Sequence, residues 1–225
     1  MSAQKDIIIA LDEGTTNAKA VALDGQGNVV AKFSRALAIH TPREGWVEQS
    51  GDALLDASLD VVAQAIACVG AQRVAALAIS NQRETAIGWY RASGRPLGPA
   101  ITWQCSRTAD FCRALREQGH EAYIKSITGL PVAPLFSASK MRWLLESVPN
   151  GMTLAQQGEI CLGTIDSWLL WNLTHGEEFR CDISNASRTQ LLNLNSGHGI
   201  TRCWLYSVFR SRRCPKFALP ATILA

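Results

Sequence analysis

The sequence predicts an α/β fold with a mixed sheet. Three features carry that expectation: apolar strand-like runs separated by turn residues at the start, a long stretch at helical spacing after them, and short unbroken apolar runs alternating with helical segments further on. Asp6 to Asp12, Asn17 to Asp24 and Asn28 to Ala38 read as a three-strand meander. Its second link, Asp24-Gly25-Gln26-Gly27-Asn28, is rich in residues that tolerate positive φ and suits a longer hairpin. From Ser50 to about Val69 apolar residues recur at helical spacing (Leu54, Leu55, Leu59, Val62, Ala63, Ile66), with Ser50 as N-cap and Gly70 as the stop. Val74 to Ile79 is apolar without alternation, which predicts a strand buried on both faces, and Thr85 to Tyr90 reads as its successor. Helices are expected around Arg107 to Gln118, Ser137 to Glu146 and Thr164 to Leu173, and a strand near Arg188 to Leu194.

With 225 residues and 47% hydrophobic content the chain is long enough for one sizeable domain, or one domain with a small annex. No apolar run approaches the ~18 residues of a membrane span and the first residues carry no secretory core, so a cytoplasmic protein is expected. Seven cysteines without a C-x-x-C pair and four isolated histidines predict reduced thiols and no structural zinc. The net charge of +3 divides unevenly: residues 198–225 hold five basic side chains and no acidic one, leaving 17 basic against 19 acidic in residues 1–197. The body therefore lacks the basic footprint of a nucleic-acid binder.

Three segments carry candidate chemistry. Asp12-Glu13-Gly14-Thr15-Thr16-Asn17 links the first two strands, where Gly14 lets backbone N–H groups approach an anion. Thr15, Thr16 and Asn17 add hydroxyl and amide donors, Lys19 a nearby positive charge, and Asp12 a carboxylate placed to hold magnesium through water. The same residue types also make an ordinary hairpin turn. Ser80-Asn81-Gln82-Arg83-Glu84 emerges at a strand end, the usual ligand position in α/β sheets. Arg83 only donates and ionised Glu84 only accepts, so the pair suits hydroxyls that do both, although adjacent opposite charges also form structural ion pairs. Trp103, in Thr102-Trp103-Gln104-Cys105-Ser106-Arg107-Thr108, either covers the carbon chain of a small polyol or packs in the core.

Taken in order, Asp12-Glu13-Gly14-Thr15-Thr16, Gly45-Trp46-Val47-Glu48-Gln49, Ser80-Asn81-Gln82-Arg83-Glu84, Trp103-Gln104-Cys105, Gly163-Thr164-Ile165-Asp166-Ser167-Trp168-Leu169 and Thr189-Gln190-Leu191-Leu192 resemble the FGGY carbohydrate kinases, and the glycerol kinases within them. The resemblance implies an actin-like, ribonuclease-H-like ATPase domain spanning residues 6–197, the first of two, with ATP and Mg2+ as cofactors and glycerol as the first candidate substrate. It implies nucleotide phosphates on Asp12, Gly14, Thr15, Thr16, Asn17 and Lys19, the metal on Asp12, and polyol hydroxyls on Arg83 and Glu84 with Trp103 beside the carbon chain. Where such kinases usually carry a tyrosine that touches glycerol, this chain has Leu135, so one hydrogen bond worth roughly 0.5–1.5 kcal/mol is missing. Another small polyol or sugar, or a non-enzymatic ATP-binding module, stay open as alternatives, as does homo-oligomerisation of a longer form. The family's general base is an aspartate of the second domain, so no catalytic residue is assigned here and the chain alone is expected to turn over very little. Residues 198–225, basic and without the family's motifs, read as an out-of-frame or disordered tail.

Overall fold

Alternating burial marks the two central strands of the first sheet. In the computed structural model, which describes residues 5–200, β1 (Ile7–Glu13), β2 (Asn17–Leu23) and β3 (Val29–Ala36) form the expected antiparallel meander. The strand β5 (Val74–Asn81) adds parallel to β1, giving the order β3-β2-β1-β5 and a mixed sheet. Ile7, Ile9, Leu11 and Glu13 of β1 and Ala18, Ala20 and Ala22 of β2 are buried, while Ile8 and Asp12 are exposed. The helix α1 (Gly51–Val69) packs on this sheet through Leu54, Ala57, Val61 and Ala65. Ser50 caps it by accepting from the Ala53 N–H at 3.2 Å, and Gly70 ends it at φ 86°. Each fully buried Leu or Val contributes roughly 1.5–3 kcal/mol, so this one apolar stripe fixes the helix on the sheet.

One expectation for this sheet is corrected. Val74 to Ile79 reads as buried on both faces, yet Ala75, Ala76 and Ala78 are exposed. The strand is the edge of its sheet, bordered by β1 alone among the described residues, and its alanines are apolar without the bulk to draw a covering layer.

The second sheet has the order β4-β7-β6-β8, from β4 (Glu48–Gln49), β7 (Ala100–Ile101), β6 (Ala86–Tyr90) and β8 (Ile160–Thr164). Strand β6 runs antiparallel to β8 and is buried along nearly its whole length, as its unbroken apolar sequence requires. Around it lie α2 (Ala109–Glu117), α3 (Glu121–Thr128), α4 (Ser137–Glu146), α5 (Gly151–Gln157), α6 (Ile165–Leu173) and the short α7 (Ile183–Ala186). Their core is made by Ile101, Leu115, Ile124, Met141, Leu144 and Ile160. Trp89 of β6 meets Trp168 of α6 edge-on at 5.2 Å between ring centres. The expected strand from Arg188 to Leu194 shrinks to β9 (Leu192–Asn193), because residues 187–190 are a turn after α7. It pairs with β10 (His198–Gly199).

The chain divides into two compact units where the sequence read as one domain with at most an annex. The first runs to His40 and continues from Gln49 to Gln82; the second comprises Thr41–Glu48 and the residues from Arg83 onward. Cys68, Cys105, Cys112, Cys161 and Cys181 are free thiols. No helix of the described residues is long and apolar enough to cross a membrane. Of the tail expected from His198, all but the first three residues lie outside the described residues.

Candidate functional site

In the first unit the link between β1 and β2 is a tight turn closed by the Gly14 N–H donating to the Asn17 carbonyl at 3.0 Å. A Cβ on Gly14 would stand 3.2 Å from that carbonyl, so a side chain would crowd the turn. The carbonyls of the turn are all engaged. That of Glu13 accepts from the Gln82 N–H at 2.7 Å, Gly14 from Gln82 Nε2 at 3.2 Å, Thr15 from Gln49 Nε2 at 2.9 Å and Thr16 from the Leu37 N–H at 2.9 Å. The turn also carries the Thr15, Thr16 and Asn17 side chains, whose hydroxyl and amide groups are able to donate hydrogen bonds. The Asn17 amide donates to Thr16 Oγ1 at 3.1 Å, and Asp12, exposed, stands opposite Lys19 in the β1–β2 register.

Beneath the turn lies Glu13, with no exposed surface. Its Oε2 accepts from Gln82 Nε2 at 3.3 Å and its Oε1 has no partner among the described residues. Burial, reinforced by the Asp12 charge and opposed by the Gln82 hydrogen bond, pushes its carboxyl up to about 8. It is therefore mostly neutral near pH 7 and places little negative charge under the turn. Gln49 and Gln82 hold this arrangement together, with Gln82 Nε2 also 2.9 Å from Gln49 Oε1.

In the second unit the Arg83-Glu84 segment leads into β6. The two side chains do not pair with one another. Arg83 is exposed and has no ion pair or hydrogen bond among the described residues. The Glu84 carboxylate accepts from Arg188 Nε at 2.5 Å, a partner 104 residues away. Glu84 also sits at φ 64°, a left-handed conformation that costs a non-glycine residue about 1–3 kcal/mol when its surroundings impose it. Those surroundings come from α4, where Ser137 Oγ donates to the Glu84 carbonyl at 3.1 Å and Lys140 Nζ at 3.2 Å.

Arg188 is placed by a chain of caps. Asp166, at the start of α6, accepts from the Asp182 N–H at 3.1 Å and from the Thr164 hydroxyl, and burial raises its carboxyl to about 6. Asp182 then N-caps α7, accepting from Ser184 N–H at 2.7 Å and Asn185 N–H at 3.2 Å. The turn that follows α7 presents Arg188 to Glu84 and over the Phe136 ring at 5.1 Å.

Trp103 is 42% exposed, on a turn rather than in the core. Its main-chain N–H donates to Thr85 Oγ1 at 3.2 Å, one residue after Glu84. The turn is strapped to residues 45–48: Thr102 N–H donates to the Val47 carbonyl at 3.2 Å, Ser106 N–H to the Gly45 carbonyl at 2.8 Å, and Arg107 Nη2 pairs with Glu48 at 2.5 Å. Trp46 packs edge-on against Trp143 at 5.3 Å, with the Arg107 guanidinium 4.0 Å from its ring centre. The Gly45-to-Gln49 motif is thus a structural clamp. Leu135 is half-buried on the turn before α4, and its carbonyl also accepts from Lys140 Nζ. Sequence reasoning missed Arg188 and Lys140; each adjoins a quoted motif or element, but nothing in their spacing points to Glu84.

Comparison with known proteins shows the family. Residues 7–219 match the family described as "FGGY family of carbohydrate kinases, N-terminal domain". The glycerol kinase of Ectopseudomonas mendocina is 46% identical over 191 residues, covering 84% of this chain and 39% of that protein. The glycerol kinase of Burkholderia vietnamiensis is 42% identical over 219 residues, 96% of this chain and 43% of that protein. The chain thus spans about two-fifths of the length of these curated relatives. Among solved structures, Plasmodium falciparum glycerol kinase with ADP superposes with a TM-score of 0.82 at 26% identity, over 92% of this chain and 41% of that one. The fold is the actin-like ATPase fold of these kinases, and the chain belongs to the FGGY family of carbohydrate kinases.

Proposed function

We propose that this chain supplies the phosphate-binding and polyol-binding elements of an ATP-dependent kinase whose acceptor is glycerol or a similar small polyol. The observation that carries the reading is Glu84: a carboxylate held in a strained backbone conformation by Arg188, Ser137 and Lys140, next in sequence to an Arg83 with no partner among the described residues. A strained acceptor next in sequence to an unpaired donor is the pattern of a binding site, and a structural ion pair would have used Arg83 instead. Trp103, the exposed aromatic whose main-chain N–H is tied to Thr85, would cover the carbon chain.

In the first unit, Gly14, Thr15, Thr16, Asn17 and Lys19 would hold nucleotide phosphates. Asp12 is a single exposed carboxylate, which fits magnesium, an ion that keeps several waters and takes one or two carboxylates. When bound, that ion neutralises charge on the phosphates. The names of the relatives favour glycerol over other polyols, and a cytoplasmic location suits a kinase fed by ATP. The abstraction of the acceptor proton is assigned to no residue of this chain. Titration calorimetry with glycerol and with ATP tests the reading: binding of both supports it, nucleotide binding alone points to a switch module, and binding of neither rejects both.

A further inference from the structure

Lys140 is a cation with no exposed surface, on the first turn of α4. Its ammonium donates to two main-chain carbonyls, those of Glu84 at 3.2 Å and of Leu135. These are the residues that line the two sides of the polyol reading, separated by 51 positions in sequence. Burying an ammonium without a carboxylate in direct contact is costly, and an apolar side chain of similar length would fill the same space at less cost. What the apolar side chain would lack is the tie between the two carbonyls. Ser137, one helical turn earlier, reaches the same Glu84 carbonyl, so the strained residue is gripped from one face of α4 while Arg188 holds its carboxylate.

We infer that Lys140 is the positioning residue of the polyol site, its ammonium locking the Glu84 backbone against the Leu135 turn so that the carboxylate and the 135 side chain keep one spacing. This rests on Glu84 and Leu135 being polyol contacts. The charged and titratable groups facing the ammonium are the Glu84 carboxylate, itself paired with Arg188, and the thiols of Cys105 and Cys112, the former against Arg107 and the latter near Arg116. They do not offset burial, which holds the ammonium down to about 7. Around neutrality the tie therefore changes from charge-assisted to neutral hydrogen bonds, which are about half as strong.

The test is amide NMR of the full chain from pH 6 to 9, with glycerol titrations at both ends of that range. In the wild type the amides of Thr85 and Phe136, which follow the two carbonyls, should shift with a common midpoint near 7, and glycerol should bind several-fold more weakly at the alkaline end. Lys140→Met should abolish that common midpoint and weaken glycerol about tenfold at pH 6, and Lys140→Arg should restore most of the affinity and remove the titration. Glycerol binding unchanged in Lys140→Met, or amides that do not titrate, overturns the role of Lys140 alone. A wild type that binds no glycerol while both amides still titrate together overturns the polyol reading and leaves the tie standing. The wild-type titration needs no variant, so a Lys140→Met chain that does not fold cannot shelter the proposal.

Discussion

Replacing Glu13 by glutamine should make the chain progressively more stable than the wild type as pH rises from about 5 to about 8. The carboxyl has no exposed surface, one oxygen without a partner among the described residues, and a folded value of about 8 against 4.5 for an exposed glutamate. The folded value is raised, so its contribution is full below 4.5 and is lost as pH climbs to 8: between those values the folded chain keeps a proton that the unfolded chain has released. Stability should therefore fall by about 1.4 kcal/mol per pH unit from this group, approaching ~5 kcal/mol by pH 8. The substituted amide carries no such proton but keeps the shape and the hydrogen bond to Gln82. At pH 5 the pH-dependent advantage of the amide should be small, and the wild type should be equal or slightly favoured, since the protonated acid leaves one buried O–H unmatched and the amide two N–H donors. Urea unfolding of both chains at half-unit intervals from pH 5 to 9 reads this directly, because other titrating groups cancel in the difference. A difference that stays flat with pH would refute the claim that Glu13 is buried and neutral.

The remaining predictions concern the second unit. Arg83→Ala should weaken glycerol binding about 10–150-fold while changing stability by less than about 0.5 kcal/mol, since the side chain is exposed and unpaired; calorimetry and urea unfolding check the two halves. Leu135→Tyr should tighten glycerol several-fold by restoring one hydroxyl, as a glycerol titration would show. Arg188→Met leaves the Glu84 carboxylate half-buried without its cation, and glycerol affinity should fall at least tenfold in a calorimetric titration.

The parts of the fold fixed by local rules were legible. Apolar runs broken by turn residues placed β1 to β3, the Ser50 cap and Gly70 bounded α1, and the predicted Ser137–Glu146 helix is α4 residue for residue. Failures came where context outweighs pattern. Strand β5 looked like a buried strand because alanine counts as apolar, and only its place at the sheet edge exposes it. Strand β8, and the short helices α3 and α5, were missed because runs of five to eight residues carry too little period. In the site, the ordered motifs singled out the turn and the Arg83-Glu84-Trp103 set as candidates, but the partner of Glu84 lies 104 residues away and the cation behind it is buried on a helix whose sequence gives no hint of it. Those pairings are tertiary, and a single sequence records no distances.

The most direct test of the central claim is a glycerol titration of the chain followed by amide NMR, repeated with Arg83→Ala. The account predicts saturable shifts concentrated at Glu84, Trp103 and the Leu135–Phe136 turn, lost or greatly weakened in the variant. Saturable shifts elsewhere, equal shifts in the variant, or no saturation at all would contradict it.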